Sequence, residues 1–111
     1  MSDIEAKYLD IVDEFVIKHR ATRGHWFSLP AVKINNKIFA ALWINGDMIF
    51  KLAGDAHTRA MNLEGAKLFQ PMEDRSAMKE WVQVPSDYAG QWHDFAVEAL
   101  EYVREASSGK K

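Results

Sequence analysis

Between Ala31 and Ala53 short apolar runs are interrupted twice, by Asn35-Asn36 and by Asn45-Gly46. Both dipeptides are two-residue turn signals, so the stretch predicts three antiparallel strands joined by tight hairpins. A type I′ turn at Asn45-Gly46 sets Ile44 opposite Asp47, Trp43 opposite Met48, Leu42 opposite Ile49, Ala41 opposite Phe50 and Ala40 opposite Lys51. A turn at Asn35-Asn36 sets Ile34 opposite Lys37, Lys33 opposite Ile38 and Val32 opposite Phe39. Opposed residues share a face of the sheet. One face then carries Val32, Ile34, Phe39, Ala41, Trp43, Met48, Phe50 and Leu52, and is the expected core face. The other carries Lys33, Ile38, Ala40, Leu42, Asp47, Ile49 and Lys51, a mixture that predicts an open, partly wet face. A slip of one residue would exchange the two sets.

The flanking segments switch to helical spacing. Ile4, Tyr8, Ile11, Val12, Phe15 and His19 form one stripe, with a capping box at Ser2-Asp3-Ile4-Glu5, so a helix is expected from there to His19–Arg20. Ala21 to Pro30 contains Gly24 and Pro30 and reads as a connection. Asp55 is the expected cap of a short helix reaching about Gly65, anchored by Ala60, Met61 and Leu63. Residues 67–72 predict a fourth strand, at an edge because of Pro71. A turn follows at Glu73-Asp74-Arg75-Ser76. Lys79 to Val84 alternates as a fifth strand, with Val82 and Val84 on the core side and Trp81 and Gln83 opposite. Pro85-Ser86-Asp87 should cap a last helix whose stripe is Tyr88, Trp92, Phe95, Ala96, Ala99, Leu100 and Val103. The order predicts one two-layer α+β domain over residues 1–106: an antiparallel sheet of about five strands packed by N- and C-terminal helices. Residues 107–111 are expected to be a disordered tail.

Composition narrows the chemistry. The chain has 111 residues and 48% hydrophobic residues, enough for a single core. With 14 basic and 16 acidic residues its net charge is −2, which opposes a strongly electrostatic nucleic-acid binder. There is no cysteine, so thiolate catalysis and cysteine-based zinc sites are excluded, and a reducing cytoplasm is the expected location. No apolar run approaches the roughly 20 residues of a membrane span, and the acidic, amphipathic N-terminus does not read as a signal peptide.

The four histidines, His19, His25, His57 and His93, show no metal-motif spacing, and there is no nucleophile elbow or phosphate loop. Asp13-Glu14, Glu73-Asp74 and Glu98/Glu101/Glu105 lie on expected solvated faces or turns. No catalytic residue, metal or cofactor is therefore expected. The remaining candidate is a binding surface. Lys33, Lys51 and Trp81 share the mixed sheet face, and Arg20, Arg23, His25 and Trp26 lie on the loop beside it. Lysines among aliphatics and an aromatic suit an anionic small molecule or a protein partner. The competing reading is that Trp26, Phe27 and Leu29 plug one end of the core and that the lysines only keep a sheet face soluble.

Lys37-Ile-Phe-Ala-Ala-Leu, Met48-Ile-Phe-Lys-Leu and Glu80-Trp-Val-Gln-Val resemble the paired strands and later aromatic strand of the MmcQ/YjbR-like family and of the related TfoX N-terminal domain, with Phe39, Lys51 and Trp81 matching. Leu29-Pro30-Ala31-Val32 stands where TfoX-type domains have Met-Phe-Gly-Gly. The resemblance implies a small α+β domain of frataxin-like layout, with no catalytic residues to carry over. The expected function is non-enzymatic binding of an anionic small molecule or a protein through the open sheet face, by a monomer or weak dimer. The alternative is DNA binding with the hairpins as wings, a role attached to the family as a label. A third reading, an enzyme acting on a small anion, rests on His25 near Arg23.

Overall fold

A computed structural model describes residues 3–26, 28–70 and 78–108. The elements run α1 (Asp3–His19), β1 (Thr22–Trp26), β2 (Leu29–Ile34), β3 (Lys37–Leu42), β4 (Met48–Lys51), α2 (Gly54–Met61), β5 (Lys67–Phe69), β6 (Met78–Val84), a 3-10 turn (Ser86–Gln91) and α3 (Trp92–Ser108). The strands form one antiparallel sheet in the order β1-β2-β3-β4-β6-β5, with the long helices at the two ends of the chain. This is the expected α+β architecture, with six strands where about five are predicted. The extra strand is β1: the segment read as a connection pairs with β2, Arg23 opposite Val32 and His25 opposite Pro30.

α1 buries Tyr8, Ile11, Val12 and Phe15, four positions of the predicted stripe. The predicted cap Ser2 lies outside the described residues. α3 buries Trp92, Phe95, Ala96, Ala99, Leu100 and Val103 against the same side of the sheet, with Tyr88 packed at the edge of that core. Two boundaries differ here. The 3-10 turn intervenes between Pro85 and α3, and α3 continues through Ser107 and Ser108. α2 ends at Met61 rather than near Gly65, and its N-cap is Ala53, so Asp55 sits in the first turn instead of capping it. The fourth strand spans only Lys67–Phe69. It is an edge strand, and the predicted positions Pro71, Met72 and 73–76 lie outside the described residues.

The Asn35-Asn36 turn forms as predicted, with both residues at positive φ and Ile34 opposite Lys37. A bulge between Val32 and Lys33 then places Val32 opposite Ala40 rather than Phe39. At the second hairpin the register is one residue off the type I′ expectation. Trp43 pairs with Asp47, its N–H donating to the Asp47 carbonyl at 2.8 Å, and Gly46 N–H donates to the Trp43 carbonyl at 3.0 Å. Three residues, Ile44, Asn45 and Gly46, therefore make the loop, with Gly46 at φ 97° as in a type I turn closed by a left-handed residue. Leu42 consequently faces Met48, and Ala41 faces Ile49.

The slip moves side chains between faces. Val32, Ile34, Phe39, Met48, Phe50, Leu52, Val82 and Val84 lie under the helices as predicted, but Ala40 and Leu42 join them there. Trp43, predicted inward, packs on the opposite face with Ile38, Ile49 and Trp81. That face is not open. Leu29, Ile49, Phe69 and Trp81 are buried on it, with Trp26, Ile38, Trp43 and Met78 packed around them. Trp26 and Leu29 thus belong to a second small core, not to a plug at the end of the first. Among the described residues no helix is long and apolar enough to cross a membrane.

Candidate functional site

The helix-free face carries four of the seven candidate residues, three of them close together. β4–β6 pairing sets Lys51 opposite Trp81, and the Lys51 Nζ lies 5.9 Å from the Trp81 ring centroid and 3.8 Å from Glu80 Oε1. Trp26 tilts over Trp81 at 4.3 Å between centroids and over Phe69 at 5.5 Å, while Trp43 meets the edge of Phe69 at 5.0 Å. β1 and β5 are opposite edges of the sheet, so the Trp26–Phe69 contact requires the sheet to curl until its aromatics fill the concavity. Lys33 lies on the same face but farther out. Its stem crosses Gly24, where an added Cβ would stand 3.0 Å from Lys33 Cε, and its Nζ is 3.5 Å from Asn36 Oδ1. A side chain at position 24 would require the lysine stem to shift by a few tenths of an ångström.

Arg23 and His25 point the other way. Side chains alternate along a strand, so residues next to Gly24 and Trp26 face the helix layer. There they border a groove of about 270 Å³ between α1 and β1, whose floor and walls come from Tyr8, Leu9, Val12, Pro30 and Ala31. α3 packs over β3 and β4, whereas α1 lies nearest the edge strand β1, and the groove runs between α1 and that strand. Arg23 is ion-paired with Asp13 of α1, and both are half exposed. Burial pushes the Tyr8 phenol above its usual range, opposed by the positive charge of Arg23. Arg20 is exposed outside the groove. Its backbone adopts φ 63° as the chain leaves α1, and the Ala21 N–H that follows donates to the Phe15 carbonyl at 3.2 Å.

The seven residues therefore separate into Trp26, Lys51 and Trp81 within an aromatic cluster, Lys33 at its rim, Arg23 and His25 in a groove on the opposite side, and Arg20 at the helix end. The single contact surface expected from the sequence does not form. The groove adds Tyr8, Leu9, Val12, Pro30 and Ala31. Tyr8 and Val12 read in the sequence as ordinary core positions, and nothing in their spacing marks them as lining a groove.

A second polar cluster joins the two long helices. His93 Nε2 meets Glu14 Oε2 at 2.7 Å, and this hydrogen bond holds the Glu14 carboxyl below its usual range. The His93 ring stands edge-on to Phe15 at 5.6 Å, and Phe15 also meets His19 at 5.0 Å. Both histidines thus cap the rim of the core. Among the described residues no three histidine or carboxylate groups come together as a metal site. The groove offers a guanidinium and an imidazole above an apolar floor, which suits recognition of a negatively charged group carried on an apolar body. In comparisons with family models, curated proteins and solved structures, none matches the chain.

Proposed function

We propose that the domain is a non-enzymatic cytoplasmic binding module of MmcQ/YjbR-like type that takes a small anionic molecule in the groove between α1 and β1. One observation carries the reading: Arg23 and His25 lie together above an apolar floor in an open groove, whereas the lysine-bearing sheet face is occupied by its own aromatics. The guanidinium has donors beyond those used by Asp13. The missing cysteines fit a reducing compartment.

The test is a thermal-shift panel of carboxylates, phosphates and nucleotides on wild type, Arg23→Gln and Lys51→Ala. Arg23 and Asp13 form an exposed pair, so Arg23→Gln should cost at most about 1 kcal/mol of stability. At about ten times Kd a ligand adds about 1.4 kcal/mol, or roughly 4–10 °C for a domain of this size. At least one anion should shift wild type and Lys51→Ala alike and lose its effect on Arg23→Gln. A panel in which no anion shifts wild type, or in which Arg23→Gln responds equally, refutes the assignment. Stabilisation by duplex DNA that fades steeply with salt would favour the DNA reading instead.

A further inference from the structure

The groove at Arg23 and His25 does not end at Pro30. Pro30 also lines a second depression of about 590 Å³, walled by Ile4 of α1, by Leu29, and by Leu42, Trp43 and Ile44 of the β3–β4 hairpin. Ile44 is 82% exposed, a large aliphatic side chain standing in water at the hairpin loop. The two depressions differ in charge. The first is bordered by Arg23 and His25, while the second has no basic lining residue and one acidic one, Glu5. The residue they share is Pro30, which is exposed and has no N–H to offer. A peptide crossing here would leave its backbone groups unmatched, whereas an alkyl chain asks for nothing but apolar surface.

Resting on the anion-binding reading above, we propose that the ligand is an unbranched aliphatic carboxylate. Its head group lies at Arg23 and His25, and its chain runs over Pro30 into the depression at Ile44. Arg23 has five N–H donors, so a second carboxylate binds beside Asp13 without expelling it. Together the two depressions fall within the roughly 300–1,000 Å³ of ordinary ligand sites. Glu5, Ser28 and Asn45 also line the second depression, and the only basic lining groups are those of the first, which sets the direction of the chain.

Titration calorimetry of the full chain with butyrate, octanoate and dodecanoate, each below its micelle concentration, tests this, with 1-octanol as the uncharged control. Affinity should tighten with chain length by up to about fourfold per buried methylene. Octanoate should bind more tightly than 1-octanol, and Arg23→Gln should weaken every carboxylate. Ile44→Ser, a change at an exposed position, should bring dodecanoate down toward butyrate while leaving butyrate unchanged. Equal affinity for butyrate and dodecanoate, or a length dependence that survives Ile44→Ser, overturns the extended site while the anion reading stands. Dodecanoate binding that ignores Arg23→Gln overturns the head-group assignment. If no carboxylate binds and the wider anion panel is also silent, both readings fail.

Discussion

Removing the Asp47 carboxylate tests what selects the register of the β3–β4 hairpin. Asp47 Oδ2 accepts from Gln83 Nε2 at 2.8 Å and from Asn45 Nδ2 at 3.1 Å, and Oδ1 accepts from the Ser86 N–H at 3.3 Å. The Asp47 N–H in turn donates to Asn45 Oδ1 at 2.9 Å. Gln83 is only 5% exposed, so Asp47→Ala strands a buried amide that has lost a charged acceptor. A hydrogen bond to a charged group is worth about 1.5–3 kcal/mol and a stranded buried donor costs a comparable amount. The Asn45 and Ser86 bonds are more exposed and add roughly 0.5 kcal/mol each. The expected loss is about 2–4 kcal/mol, roughly 10–20 °C in Tm. The decisive assay is a double-mutant cycle by urea denaturation with Gln83→Leu, which removes the amide while keeping an apolar side chain of similar size. Deleting both partners costs far less than deleting one, so the double variant should fall short of additivity by at least about 1 kcal/mol. Additivity within about 0.5 kcal/mol would mean that the carboxylate and Gln83 are not coupled, and that the loop alone sets the register.

Two further outcomes follow from the same contacts. Trp81 is 9% exposed between Trp26 and Lys51, so Trp81→Ala should cost about 3–5 kcal/mol as a core truncation does; a loss under about 0.5 kcal/mol in urea titration would make that face a surface platform instead. Glu14 has its carboxyl held below the ordinary value of 4.5 by His93. A group with a depressed folded-state value stabilises the fold above its unfolded value and loses that contribution as pH falls through the folded one. The Tm gap between wild type and Glu14→Gln should therefore be full above pH 4.5 and shrink on acidification below it; a gap that stays constant through that range would show that unfolding takes up no proton at Glu14.

What the sequence makes legible is whatever one buried face dictates. α1 and α3 each bury a single face, and β6 alternates between the two sides of the sheet, so their periodicity reports them directly: Val82 and Val84 toward the helices, Trp81 and Gln83 toward the other face, Lys51 beside Trp81. β1 carries no such signal. Thr22, Arg23 and His25 are exposed on both of its sides and Gly24 has no side chain, so no alternation separates this edge strand from a loop. It is a strand because the adjoining β2 pairs with it. Asn45-Gly46 fails for a different reason. The dipeptide fits two turns, and in the one that forms Asp47 reaches Gln83 and Ser86, partners 36 and 39 residues away. That choice moves Trp43 to the concave face, where it helps to fill a surface the sequence leaves open. The divided candidate site has the same origin. A loop from Arg20 to Trp26 could turn every side chain toward one ligand, but a strand cannot. Once these residues pair with β2, pleating sends Arg23 and His25 to the helix side and Trp26 to the other, and a small molecule held by Arg23 is separated from Trp81 and Lys51 by the thickness of the sheet.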